Sequence, residues 1–121
     1  MKIVKASFVK GVSAFYFDDQ AAVKSGAKQD GFIYQGKPIT EGFSSVRQAG
    51  ECVSVLLHLD NGLIAQGDCI AVQYSGAAGR DPIFLADSYL DFLKTKIAPH
   101  LLDRCVDTFL SNSRYFDALL I

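Results

Sequence analysis

The residues from Glu51 to Val72 leave little choice of local structure. Two β-forming runs flank Asp60-Asn61-Gly62, residue types suited to the positive φ of a tight hairpin. With a three-residue loop and Gly62 left-handed, Leu59 pairs with Leu63. Val53, Val55, Leu57 and Leu59 then share a face with Leu63, Ala65, Gly67, Cys69 and Ala71, a set without a polar side chain. The opposite face carries Ser54, His58, Gln66 and Asp68, as expected of a sheet with one wetter side. A two-residue turn would slip the pairing and mix Gln66 and Asp68 into the apolar set, so the three-residue loop is preferred. In this register Cys52 and Cys69 lie on opposite faces, which excludes a disulfide between them.

A chain of 121 residues built around such a hairpin fits one domain with one core. Its 12 Lys and Arg nearly balance 13 Asp and Glu, so no electrostatic footprint for nucleic acid or an anionic membrane is present. No run approaches the ~18 apolar residues of a membrane span, and Met1 to Ala6 lacks an extended apolar signal, so a cytoplasmic location is expected. Cys52, Cys69 and Cys105 form an odd set without Cys-x-x-Cys spacing, and neither His58 nor His100 has a ligand neighbour at metal-binding spacing. Free buried thiols are expected, with no metal site built within the chain.

Lys2–Val9 reads as a first strand bounded by Gly11. Asp18-Asp19 supplies an N-cap for a short helical turn through Val23, stopped by Gly26. Adjacent carboxylates on a helix do not face each other, so capping is preferred to an acid–base pair. Between Gly26 and Gly50, glycines and Pro38 impose short strands and turns, with Phe32-Ile33-Tyr34 the most strand-like piece, Gly36-Lys37-Pro38 a turn, and Ile39–Phe43 extended. A helix starts at Asp81-Pro82, places Phe84, Leu85, Tyr89, Phe92, Leu93 and Ile97 on one core face, and ends at Pro99. A last helix begins at Ser111. The fold class is α+β: an antiparallel β meander followed by a helical segment, β-rich over 1–75 and helical over 81–121. The ending Leu119-Leu120-Ile121 lacks the polar or glycine signals of a helix stop, which reads as a chain cut from something longer; a terminal helix docked on its own core is the other reading.

From Cys69 to Pro82 the chain changes character. Gln73 continues the apolar face of the hairpin at a strand end, Tyr74 and Ser75 follow, and Gly76 and Gly79 lie in a pliable loop before the helix start. Polar groups so placed either connect elements or face a ligand. Ser75 has no histidine at nucleophile-elbow spacing, and Ser75 to Arg80 lacks the Gly-Lys-Ser/Thr ending of a phosphate loop. A small anion could meet the loop amides, Arg80 and the helix start. No carboxylate pair, no apolar-pocket lysine and no Cys/His arrangement is present, so no catalytic residue and no metal ligand is expected within the chain.

The segments Phe15-Tyr16-Phe17-Asp18-Asp19-Gln20, Asp30-Gly31-Phe32, Thr40-Glu41-Gly42-Phe43, Val46-Arg47-Gln48, Ser54 to Leu57, and Gly67-Asp68-Cys69 through Gln73-Tyr74-Ser75-Gly76 to Pro82 together resemble the N-terminal domain of methylaspartate ammonia-lyases. Ala14 departs from that family's pattern, which has glycine there, and the similarity thins after Leu102. The resemblance implies an enolase-superfamily capping domain over 1–121, truncated before its β/α barrel. It implies reversible elimination of ammonia from 3-methylaspartate to give mesaconate, in glutamate degradation. The Lys base and the Mg²⁺ ligands belong to the missing barrel, so no cofactor binds this chain and the chain alone is inactive. The implied partners are that C-terminal barrel, a small amino-dicarboxylate substrate and, for the full-length enzyme, a second copy in a homodimer. Gln73 matches a side chain lining the pocket near the departing amine, and Tyr74 and Ser75 are further substrate-binding candidates. The alternative is a stand-alone, non-catalytic binding module or a subunit pairing with a separate barrel chain.

Overall fold

In the computed structural model of the chain, residues 1–18, 22, 24–70 and 83–119 are described. In chain order the named elements are β1 (Ile3–Phe17), β2 (Lys28–Asp30), β3 (Ile33–Gln35), β4 (Arg47–Leu59), β5 (Ile64–Ile70), α1 (Asp87–Phe92), a π-helical turn (Leu93–Ile97), α2 (Ala98–Leu101) and α3 (Phe109–Asp117). β1, β4 and β5 form a three-stranded sheet in the order β1-β4-β5, while β2 and β3 pair antiparallel with Lys28 opposite Gln35. The class is α+β, strands first and helices after, as the pattern of the sequence predicts. The described residues contain no β/α barrel. Two compact units divide the chain, one made of Met1–Lys10, Val53–Cys69 and Asp87–Ile121, the other of Gly11–Cys52 and Ile70–Ala86.

The first unit contains the hairpin. Leu59 N donates to Leu63 O at 2.9 Å, Gly62 N donates to Leu59 O at 3.0 Å, and Gly62 has φ +85°. This is the predicted three-residue loop, and its register puts Ser54 opposite Asp68, where the hydroxyl donates to the carboxylate at 2.6 Å. All three cysteines are free, but only Cys52 is buried as expected; Cys69 and Cys105 are exposed. β5 is exposed along its whole length, so the expected coverage of the apolar face is not found at Ala65, Gly67 and Cys69, and Leu63 just before them is 61% exposed. β5 is the edge of the sheet, so alternation alone does not bury it.

The start of β1 is tied to the chain beyond α2. Ile3 N donates to Arg104 O at 3.0 Å, Asp103 N to Ile3 O at 2.9 Å and Val106 N to Met1 O at 2.8 Å. Pro99 does not end the helix as expected. It sits in the first turn of α2, where a missing N–H removes no bond, and Ala98 N reaches back to Leu93 O through the π turn. α1 begins at Asp87; Asp81 and Pro82, the expected start, lie outside the described residues. Tyr89 and Phe92, expected on a core face, are more than two-fifths exposed. The last helix starts at Phe109 rather than Ser111, because Thr108 Oγ1 accepts from Ser111 N at 3.2 Å and caps it.

The second unit is seated on Tyr16. β1 does not stop near Gly11 but continues to Phe17, and its Tyr16 ring is fully buried against Gly50 of β4. The hydroxyl donates to Glu51 O and accepts from Glu51 N, both at 3.0 Å. A Cβ at Gly50 would lie 2.9 Å from Tyr16 Cε1 and would also collide with Ser13 Oγ. Ala22, Ala27 and Val46 form a small core cluster with Tyr34 packed on it. Phe32 leaves the expected strand and sits with Gly31, φ +60°, in the turn joining Asp30 to Ile33. Ile39–Phe43 is not extended either: Phe43 N donates to Thr40 O at 3.3 Å and closes a turn. Of the helical turn expected after Asp18, the described part is Ala22 and Lys24, with Ala22 N donating to Asp18 O at 2.9 Å.

Gly50→Ala forces the Tyr16 ring or β4 to move, and we expect it to destabilise the chain by about 1–3 kcal/mol. Urea denaturation of the two proteins measures the difference, and an unchanged midpoint would show that the close packing of ring and glycine is not needed.

Candidate functional site

The sequence-predicted site residues Gln73, Tyr74 and Ser75, with Gly76, Gly79, Arg80, Asp81 and Pro82, lie outside the described residues. The described side chains of the second unit, at 11–18, 22, 24–52, 70 and 83–86, show how its loops are held. Four polar side chains near the adjoining ends of β1 and β4 do this. Asp18, Arg47, Gln48 and Glu51 each take a backbone group from a segment without regular partners.

Asp18 is fully buried. Its carboxylate accepts from the Thr40 N–H at 3.0 Å, and also from the Ile39 N–H and the Thr40 hydroxyl. Sequence reasoning treats Asp18-Asp19 as a helix cap; the side chain of Asp18 also gathers the 39–40 loop. Such a partner is invisible to local pattern because it lies 22 positions away. Asp19 lies outside the described residues.

Arg47 works by a different chemistry. Its guanidinium carbon lies 4.7 Å from the Phe17 ring centroid and 5.1 Å from that of Tyr34, while Nη1 donates to Phe32 O at 2.9 Å. The planar cation thereby ties the β2–β3 turn to the end of β1. Gln48 Oε1 accepts from Ser44 N at 2.7 Å, which fixes the approach to β4. Glu51 Oε2 accepts from Ala86 N, also at 2.7 Å, and so holds the chain where it enters α1. These arrangements hold backbone in place; they offer no base, acid or nucleophile to a reacting atom.

Elsewhere, Ser7 Oγ and His58 Nε2 are 3.5 Å apart in a part-buried pair. His100 Nδ1 faces the Tyr115 hydroxyl at 3.1 Å, and Arg104 stacks 3.5 Å above the Tyr115 ring with Nε donating to Asn112 Oδ1 at 2.7 Å. That cluster fastens α2 and the following segment to α3. Lys10 and Asp87 form an exposed ion pair at 2.8 Å. Among the described residues no group of three or more His, Cys, Asp or Glu could hold a metal ion, and no helix is long and apolar enough to cross a membrane.

Replacing Arg47 by Met keeps length and apolar contact but removes the charge and the bond to Phe32 O. We expect a loss of about 1–2 kcal/mol, with Arg47→Lys restoring less than half, because an ammonium cannot stack between two rings as a guanidinium does. Thermal unfolding of both variants checks this, and full rescue by Lys would contradict the stacked arrangement.

A family model described as the methylaspartate ammonia-lyase N-terminus matches residues 1–121. The methylaspartate ammonia-lyase of Citrobacter amalonaticus is 63% identical over 121 residues, covering 100% of this chain and 29% of that protein. A crystal structure of that enzyme containing (2S,3S)-3-methylaspartic acid superposes with a TM-score of 0.83 over 100% of this chain and 29% of its own. The β-methylaspartase of Clostridium tetanomorphum, solved as an Mg complex, is 50% identical with a TM-score of 0.85, again over 100% of this chain and 29% of its own. A further solved structure of the Clostridium tetanomorphum enzyme carries the substitution Q73A. The chain thus spans about three-tenths of the length of the relatives it matches.

Proposed function

The chain belongs to the family of methylaspartate ammonia-lyase N-terminal regions, and from that membership we propose that it is the capping part of an enzyme that reversibly eliminates ammonia from 3-methylaspartate to give mesaconate. The observation that carries this reading is a match over the whole of residues 1–121 to the family model. It is supported by the 63% identity to an enzyme whose structure contains (2S,3S)-3-methylaspartic acid. The same match leaves the stand-alone binding module without a favouring observation.

In this reading 1–121 is one capping domain of an enolase-superfamily enzyme, working in the cytoplasm in glutamate degradation. Its partner is a C-terminal β/α barrel, and the assembled enzyme is a homodimer. The ion, which the Clostridium tetanomorphum structure names, and the Lys base are assigned to the remainder of the enzyme, as the family resemblance implies. The part played by this chain is to bind and orient. Gln73 is the residue assigned to the pocket near the departing amine, with Tyr74 and Ser75 beside it. A neutral amide suits that place: its oxygen accepts from an ammonium, its nitrogen donates to a carboxylate, and it neither takes nor gives a proton at neutral pH. The glutamine altered in the Clostridium tetanomorphum structure bears the same number.

The test joins this chain to the remainder of the Citrobacter amalonaticus enzyme in place of that enzyme's own N-terminal part. The chimaera is expected to form mesaconate from 3-methylaspartate, followed by ultraviolet absorbance, while the 121-residue chain alone forms none. A folded chimaera without activity, or ammonia release by the chain alone, would overturn the reading.

A further inference from the structure

Two of the segments that carry the family resemblance, Phe15 to Gln20 and Thr40 to Phe43, meet in the second unit through one side chain. Asp18 is 0% exposed, and its carboxylate gathers two consecutive amides, Ile39 and Thr40, together with the Thr40 hydroxyl. Removing a carboxylate from water is costly unless hydrogen bonds compensate, so this seat accepts one placement of the loop and penalises others. The loop beyond it is solvent-facing: Ile39 is 58% exposed, and Thr40, Glu41 and Gly42 are exposed as well.

A surface loop needs no buried charge to close it. The bond from Phe43 N to Thr40 O already makes the turn. What the carboxylate adds is position. The far side of the loop is equally constrained, since Gly42 has φ +90° and a Cβ there would stand 2.5 Å from Ile83 Cγ2. The loop is therefore fastened at its base by charge and wedged at its tip against the residue that directly follows Pro82.

We infer that Asp18 is a positioning residue, which through Thr40 holds the 39–43 loop where it shapes substrate binding. The inference rests on the reading of this chain as the capping part of an ammonia-lyase. A loop that contacts substrate but carries no reacting group changes KM when displaced and leaves kcat alone. Asp18→Asn keeps the shape but removes the charge and replaces one acceptor oxygen with an NH₂ donor. Thr40→Val removes only the hydroxyl, and Thr40→Ser retains it.

The experiment uses the chimaera with 3-methylaspartate as substrate, and hydrogen exchange of the same proteins. Asp18→Asn is expected to raise KM about tenfold with kcat within about twofold, Thr40→Val to raise KM about fivefold, and Thr40→Ser to behave as the parent. Exchange protection at the Ile39 and Thr40 amides should fall in the first two variants while β1 and β4 stay protected. If Asp18→Asn does not fold, Thr40→Val decides in its place by the same readings. Unchanged KM with a lowered melting temperature would overturn the inference, since it would make the carboxylate a strut and nothing more. A fall in kcat at constant KM would overturn it as well. An inactive parent chimaera tells against the ammonia-lyase reading instead; exchange then decides the Asp18 seat, with local loss of protection supporting it and unchanged protection overturning it.

Discussion

Tyr16 closes both backbone groups of Glu51 with a single hydroxyl, and the second unit is arranged around that seat. The ring is fully buried, so an unsatisfied hydroxyl or an unsatisfied Glu51 amide would be costly there. Gly50 is what lets the ring approach β4, because any side chain at that position would occupy the space of the ring and of Ser13. Once β1 and β4 are locked at this point, the residues just beyond it are set in direction. Asp18 turns to the 39–40 loop, Arg47 to the β2–β3 turn, and Glu51 to Ala86.

This organisation accounts for a chain rich in polar interactions yet without a reaction centre among its described residues. Among the described residues of the second unit, Asp18, Arg47 and Glu51 each bond to backbone. Asp18 holds three loop donors, Arg47 is stacked on two rings, and Glu51 takes an amide N–H. A carboxylate or guanidinium held in this way is a poor general acid or base, since releasing it for a proton transfer would leave buried groups unpaired. It is well suited to keep loops at fixed positions on a sheet.

Local chemistry was legible where it acts locally. Asp60-Asn61-Gly62 predicts the hairpin loop, its register, and the Ser54–Asp68 pair, because turn residues and period-two alternation fix all three. The α+β class follows from strands preceding helices. The sequence was silent where distant partners decide. Ile39–Phe43 has extended propensity, yet the bond from Phe43 N to Thr40 O turns it and Asp18 holds it in place. Phe32 looks strand-like, yet Arg47 and Gly31 draw it into a turn. Pro99 reads as a helix stop, yet a π turn lets the helix pass it. Coverage of β5 could not be read at all, since alternation says which face is apolar and not whether anything lies on it. The assignment of Gln73, Tyr74 and Ser75 came from the resemblance and lies outside the described residues.

In the proposed function, residues 1–121 supply contacts and position but no reacting group. A crystal structure of the chimaera with 3-methylaspartate bound is expected to place the Gln73 amide within about 3 Å of the substrate amine or carboxylate, with no side chain of 1–121 placed to take the proton from carbon. Substrate bound without any contact to this region, or a proton-accepting side chain of 1–121 against the reacting carbon, would contradict it.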